Sequence, residues 1–209
     1  MNKGLILVIS GPAGSGKGTV NKILRETGEY IYSVSKTTRS PRPGEVDGQD
    51  YSFVTKEDFM RSLAANDFLE YNEYCGNFYG TPKSTTEKAV ENGKNVILEI
   101  DVNGARNVKK NCPDAILIML LPPSFEEQEK RLRGRATETE EKIQSRLMQT
   151  HYEIDQLSMY DYVVINGDKE AAKAAEDIMA IVRAEKSAEK RNPDIKQKYF
   201  NTDKKETQE

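Results

Sequence analysis

The run GPAGSGKGT, Gly11–Thr19, lies between the apolar, β-prone segment Leu5–Ser10 and the helical pattern Val20–Arg25. Gly11, Gly16 and Lys17 fit the G-x-x-x-x-G-K spacing of a phosphate-binding loop, in the strand–turn–helix setting that the motif requires. The spacing has a physical basis. Residues without Cβ let successive backbone N–H groups turn inward on an anion, the helix N-terminus adds partial positive charge, and the lysine reaches the outer phosphates. A glycine-rich loop that only turns the chain seldom places a lysine between an apolar strand and a helix. Gly11, Pro12, Ala13, Gly14, Ser15, Gly16, Lys17, Gly18 and Thr19 are therefore the expected contacts of a donor nucleotide. Gly18 stands where a Ser or Thr usually ligates magnesium, and Thr19 comes next, so ligation by Thr19 directly or through a water stays open.

Bulk properties narrow the rest. The 209 residues suffice for one core with attached lobes, and the formal net charge of −3 speaks against a protein that coats nucleic acid. Cys75 and Cys112 have neither metal-like spacing nor a disulfide framework, which suits a reducing compartment. No stretch approaches the ~18–20 apolar residues of a membrane span, and no secretory signal is visible. The expectation is a cytoplasmic protein without a membrane or nucleic-acid partner; its oligomeric state is not legible.

Five apolar runs read as buried parallel strands: Leu5–Ser10, Tyr30–Val34, Val96–Ile100, Ala115–Leu120 and Tyr162–Ile165. Helical patterns separate most of them, among them Asn103–Lys110 and a helix opened by the capping box of Ser124 and Glu127. Alternating strands and helices predict an α/β fold with a doubly wound parallel sheet. The connection from Ser35 to Asn95 is too long for one crossover helix. It is expected to hold a small substrate lobe, with strand at Tyr51–Val54 and helices at Lys56–Ala65 and Ser84–Glu91. The polar, Lys-rich stretch Lys186–Glu209 is expected to fray from helix into disorder.

Three clusters outside the loop carry chemistry. Ser35, Arg39, Arg42 and Tyr51 gather guanidinium forks and hydroxyls in a Pro/Gly-punctuated segment, a pattern that fits a phosphate clamp and equally, read alone, a solvated basic turn. Glu99 and Asp101, two apart on an expected strand, would project to one face at its C-terminal end, where open α/β sheets bind ligands. Asp101 also fits a plain helix cap ahead of Asn103. Arg131, Arg133, Arg135 and Arg146 flank the polar interval Thr137–Glu140, which suits a mobile segment that brings positive charge to a transferring phosphoryl group. His151 reads as a structural or partly exposed helix residue.

The blocks VSKTTRSPRPGEVDGQDYSFV, FLEYNEYCGNFYGTP, ILEIDVNG and RLRGRATETEEKIQSRL, in this order behind the loop, resemble the guanylate kinase family, and the likeness runs from Leu5 to about Ala184. The resemblance implies a P-loop NTPase fold with a five-stranded parallel core sheet flanked by helices, an inserted mixed α/β lobe for GMP and a short helical lid. It divides the chain into core (1–34, 93–125 and 146–185), lobe (35–92), lid (126–145) and tail (186–209). It implies ATP and GMP as substrates, with Mg²⁺ as cofactor. It sets Ser35, Arg39, Arg42, Tyr51 and Tyr79 against the GMP phosphate, Glu70 and Thr81 against guanine, and Glu99 and Asp101 near the acceptor. Asn166 falls at the family's adenine-contacting position, and Lys17, Arg39, Arg42, Arg135 and Arg146 carry the transfer. Thr19 and Asp101 are the implied metal partners, directly or through water. Family members often have Asp where Glu99 stands, so the division of tasks between the two carboxylates stays open. Guanine supports the Glu70 assignment independently: its N1–H and 2-amino group are adjacent donors for a carboxylate, while a Thr81 hydroxyl can donate to O6. A non-catalytic interaction module of similar sequence should show a damaged loop or lid, and neither is damaged here. Use of dGMP is expected as well, and its share relative to GMP is left open.

Overall fold

The computed structural model describes residues 3–42, 44–74, 76–134 and 139–201. The chain opens with β1 (Ile6–Ser10), α1 (Lys17–Glu26), β2 (Tyr30–Tyr32), β3 (Lys36–Thr37) and β4 (Ser52–Phe53). It continues through α2 (Lys56–Ala64), β5 (Phe68–Tyr74), β6 (Asn77–Pro82), α3 (Lys83–Glu91), β7 (Asn95–Leu98) and α4 (Val102–Asn111). The remaining elements are β8 (Ile116–Leu121), α5 (Phe125–Gly134), α6 (Glu140–Asp155), β9 (Tyr162–Ile165), α7 (Ala171–Ser187) and α8 (Ile195–Asn201).

All five residues of β1 are buried, as a central parallel strand covered on both faces requires. Leu7 and Ile9 pack with Val20 and Leu24 of α1 and with Ala174 and Ile178 of α7. Ile6 and Val8 point the other way, onto Ala105 and Val108 of α4. The result is a 5-stranded parallel sheet in the order β2-β7-β1-β8-β9, helices on both sides. The expected strands are present with shifted ends, and Ser124 Oγ accepts the Glu127 N–H at 3.1 Å, as the capping box requires.

A second, 4-stranded sheet runs β4-β3-β6-β5, with β3 and β4 parallel and the other pairs antiparallel. Its strands β3, β5 and β6 were not among the sequence expectations. The sheet is tied to the core: Leu69 of β5 packs within the α4 cluster, and Asn111 Nδ2 donates to the Leu69 carbonyl at 2.7 Å.

The tail differs from the expectation over its described part. Helix α7 runs to Ser187 and α8 spans Ile195–Asn201, rather than fraying after Ala184. The cause is local satisfaction of polar groups. Glu185 accepts from Tyr162 Oη at 2.7 Å and Arg191 Nε at 3.0 Å, and Asn192 Nδ2 donates to the carbonyls of Lys186 and Ala188. Residues 202–209 lie outside the described part. Among the described residues no helix is long and apolar enough to cross a membrane.

Candidate active site

The loop between β1 and α1 holds its shape through two left-handed glycines, Gly14 at φ 85° and Gly16 at φ 88°. A side chain at Gly16 would collide with Asn166, whose Nδ2 lies 2.2 Å from the position a Cβ would take. That same Nδ2 donates to the Ser15 carbonyl at 2.8 Å. Asn166 is 5% exposed and its Oδ1 is buried without a hydrogen-bond partner, while its Nδ2 braces the loop. Gln128 of α5, which the sequence did not single out, is a second brace. Its buried Nε2 donates to Ala13 O at 3.0 Å and to Thr150 Oγ1 of α6 at 2.7 Å. Asn166→Ala should lower stability by about 1–3 kcal/mol, because it leaves the Ser15 carbonyl without its side-chain donor. Urea denaturation checks this; an unchanged midpoint and slope contradict it.

Lys17 folds back over its own loop, its Nζ donating to Gly11 O at 2.6 Å and Pro12 O at 3.2 Å. It lines a cavity of about 320 Å³ together with Glu99, Asp101, Arg146, Gln149 and Glu153. Loop, paired carboxylates and one expected arginine thus meet at one place. Gln149 and Glu153 are additions from α6. Burial pushes the Glu153 carboxyl above its ordinary value, against the pull of Lys17 and with a push from Asp101.

Glu99 and Asp101 reach this cavity by a route different from the expected strand face. Strand β7 ends at Leu98, and Asp101 is the N-cap of α4, its Oδ1 accepting the Gly104 N–H at 2.8 Å. The capping demand of α4 stops the strand early. Glu99 Oε2 accepts from Asn21 Nδ2 of α1 at 2.6 Å and lines a second cavity of about 310 Å³ with Tyr51 and Gly18. Glu99 therefore stands between the two spaces. Thr19 is exposed at the start of α1 and is not among the residues that line either cavity.

Three of the residues expected to clamp a phosphate, Arg39, Tyr51 and Tyr79, lie together beside the second sheet. The Tyr51 and Tyr79 rings meet edge-on at 5.9 Å, and the Arg39 guanidinium lies 5.5 Å from the Tyr51 ring centre. Glu45, missed in the sequence, holds this segment: it accepts from Arg39 Nη2 at 2.8 Å and from the Arg42 N–H at 2.7 Å. Glu45 draws its own carboxyl below the ordinary range through these bonds. Ser35 is half-buried, its carbonyl accepting from Ser52 N at 2.9 Å, and the Arg42 side chain is exposed.

Glu70 and Thr81 face each other across β5 and β6. Glu70 is 7% exposed, and its Oε1 accepts the Thr81 hydroxyl at 2.6 Å, so Thr81 donates to the carboxylate and not outward. Burial pushes the Glu70 carboxyl up; the Thr81 hydrogen bond opposes this and Asp101 adds to it. On the lid arm, Arg131 bonds Glu127 and the Asn166 carbonyl, while Arg133 bonds Glu129 and Glu140, which makes both structural ties. Arg135 lies outside the described residues. His151 is exposed on α6, its ring 5.4 Å from that of Phe125.

A parallel sheet with a lysine-bearing glycine loop at the C-terminal end of its central strand, beside a second sheet with an arginine–tyrosine cluster, defines a P-loop nucleotide phosphotransferase. The family model described as guanylate kinase matches residues 3–185. A curated guanylate kinase of Clostridium perfringens (strain SM101 / Type A) is 50% identical over 186 residues, covering 88% of this chain and 85% of that protein. That of Clostridium tetani (strain Massachusetts / E88) is also 50% identical over 186 residues, covering 89% and 88%. The crystal structure of guanylate kinase from Anaplasma phagocytophilum matches with a TM-score of 0.70 at 36% identity, over 90% of this chain and 89% of that one. The chain belongs to the guanylate kinase family.

Proposed function

We propose that the chain transfers the γ-phosphoryl group of ATP to the phosphate of GMP, giving ADP and GDP, with donor and acceptor on either side of Glu99. The observation that carries this reading is the buried Glu70–Thr81 pair on β5 and β6, with Tyr79 on the same β6 and Tyr51 and Arg39 beside it. A carboxylate in that place accepts guanine's adjacent donors, whereas adenine presents an acceptor at N1. The curated relatives are named guanylate kinase.

ATP phosphates enter the loop Gly11–Thr19, and the Lys17 ammonium exchanges its bonds to Gly11 O and Pro12 O for phosphate oxygens. Arg146 adds charge from the α6 wall of the same cavity, joined by Arg135 from the lid. The GMP phosphate is held by Arg39 and Arg42 with Ser35, Tyr51 and Tyr79, Arg39 leaving Glu45 as phosphate arrives. Its oxygen is already anionic near neutral pH, so the attack needs no general base. Positioning and positive charge on the transferring group supply the acceleration. Lys17, Arg39, Arg42, Arg135 and Arg146 share that task.

Among the described residues no group of three or more His, Cys, Asp or Glu side chains could hold a metal. Sparse protein donors fit Mg²⁺, which keeps several waters in nucleotide sites. Asp101, whose Oδ1 is engaged by Gly104, and Thr19 would then hold Mg²⁺ mostly through water; when bound it neutralises β- and γ-phosphate charge. The division into core, lobe 35–92, lid 126–145 and tail belongs to the same proposal. Lys17 and Arg146 on one cavity favour it over a non-catalytic module, which has no use for them.

Equilibrium titration without ATP tests the acceptor: GMP should bind, and AMP should bind more weakly by a factor on the order of 100 or more. Equal affinities contradict the reading. The raised Glu70 carboxyl adds a pH dependence. Protonated Glu70 loses acceptor capacity, so the KM for GMP should rise as pH falls, beginning above the pH at which an ordinary glutamate protonates. In Glu70→Gln this rise should be absent; a wild-type KM flat down to the ordinary carboxylate range contradicts the assignment. The sign for stability is opposite: because folding raises this pKa, Glu70's contribution is present at low pH and lost as pH rises through the folded value.

A further inference from the structure

Gly104 lies in the first turn of α4, where glycine lowers helix propensity relative to alanine. Its φ is not positive, so the backbone does not demand glycine there. The surrounding space does. A Cβ at this position would come within 3.3 Å of Glu70 Oε2, 3.2 Å of Ile100 Cβ and 3.3 Å of Ile100 Cδ1, closer than ordinary contact.

The neighbouring carboxylate has little freedom to retreat. Glu70 is buried, and its Oε1 is engaged by the Thr81 hydroxyl at 2.6 Å. Its chain neighbour Leu69 is fixed to the same helix, packed with Ala105 and Val108 and bonded through its carbonyl to Asn111 Nδ2 at 2.7 Å. Helix α4 and strand β5 are thus pinned together, and the gap at Gly104 is what remains for Oε2.

We infer that Gly104 is a specificity-determining position: the missing side chain lets α4 seat Glu70 Oε2 where one of guanine's two donors requires it. The inference rests on the reading of Glu70 as the guanine acceptor. Guanine's N1–H and 2-amino group need both carboxylate oxygens at once. Thr81 sets one of them, and the clearance over Gly104 sets the other. A displacement of a few tenths of an ångström is enough to weaken a charge-assisted bond, whose strength depends on a short donor–acceptor distance. The Gly104 N–H bonds Asp101 Oδ1 at 2.8 Å through the backbone, which alanine keeps, while a Cβ would meet Glu70 and Ile100, so the main effect falls on the base.

Gly104→Ala tests this in steady-state kinetics, with Glu70→Gln measured beside it. The KM for GMP should rise about tenfold, with the KM for ATP within about twofold of wild type. Ribose 5-phosphate, which fills the phosphate clamp without a base, should inhibit as it does the wild type. The thermal midpoint should change little, because alanine's better helix propensity offsets part of the crowding. The double variant Gly104→Ala with Ile100→Val relieves the crowding on Ile100 Cδ1 and should leave the GMP defect in place. Recovery in the double variant, or ribose 5-phosphate inhibition weakened as much as GMP binding, overturns the inference. An unchanged GMP KM in Gly104→Ala beside a raised one in Glu70→Gln overturns it alone. Unchanged values in both variants overturn the guanine reading and the inference with it.

Discussion

Lys17→Ala should lower kcat by on the order of 100-fold or more while the protein stays folded. The ammonium is the charge of the loop that reaches the outer phosphates, and removing one preorganised donor to a developing charge typically costs about 10²–10³ in rate. The side chain donates to the carbonyls of Gly11 and Pro12, which water can satisfy, and it is not part of the hydrophobic core. Its loss should therefore change unfolding free energy by less than about 1 kcal/mol. Turnover within about threefold of wild type would remove the loop from the mechanism.

Glu70→Gln should cost roughly 30- to 1000-fold in kcat/KM for GMP, about 2–4 kcal/mol, and leave the KM for ATP nearly unchanged. The substitution keeps the shape of the side chain and replaces an acceptor oxygen by an NH₂, which then meets guanine's own donors. Thr81 provides an internal check. Its hydroxyl donates to Oε1 in the free protein, so in the variant the amide oxygen is expected to turn toward Thr81, leaving the NH₂ for the base. GMP and ATP parameters weakened alike would mean that the variant disturbs the fold and that Glu70 does not read the base.

What was legible in the sequence had strong local causes. A run of apolar residues buried on both faces, as in Leu5–Ser10, has few alternatives to a central parallel strand, and the glycine spacing of the loop states its own backbone geometry. The small sheet was obscured for the opposite reason. Strand β3 is two residues, too short for any period to emerge, and is held by its pairing with β6, whereas β4 falls within the strand expected at Tyr51–Val54. The pairing of Glu70 with Thr81 was available only through the family likeness, since an isolated Glu beside Tyr71 reads as surface.

The carboxylates show where residue spacing misleads. Two apart on a strand, Glu99 and Asp101 would share a face; in the structure the strand ends before both, and α4's need for a cap decides where Asp101 goes. Both still line the cavity beside Lys17, through loop geometry that alternation does not encode. Gln128 and the bracing role of Asn166 were not legible because bracing the loop depends on contacts far apart in the chain, 115 and 151 residues respectively. Glu153 came to the cavity with α6, on a face that its helical pattern alone does not assign.

The central claim is transfer from ATP to a guanine-bearing acceptor. A coupled assay of ADP release with purified protein, Mg²⁺ and ATP, run with GMP, dGMP, AMP, UMP and no acceptor, tests it most directly. The account predicts rapid ADP release with GMP, at least about 100-fold slower release with AMP or UMP, and a background near zero without acceptor. Equal rates with AMP and GMP, or ADP release independent of any acceptor, would contradict it.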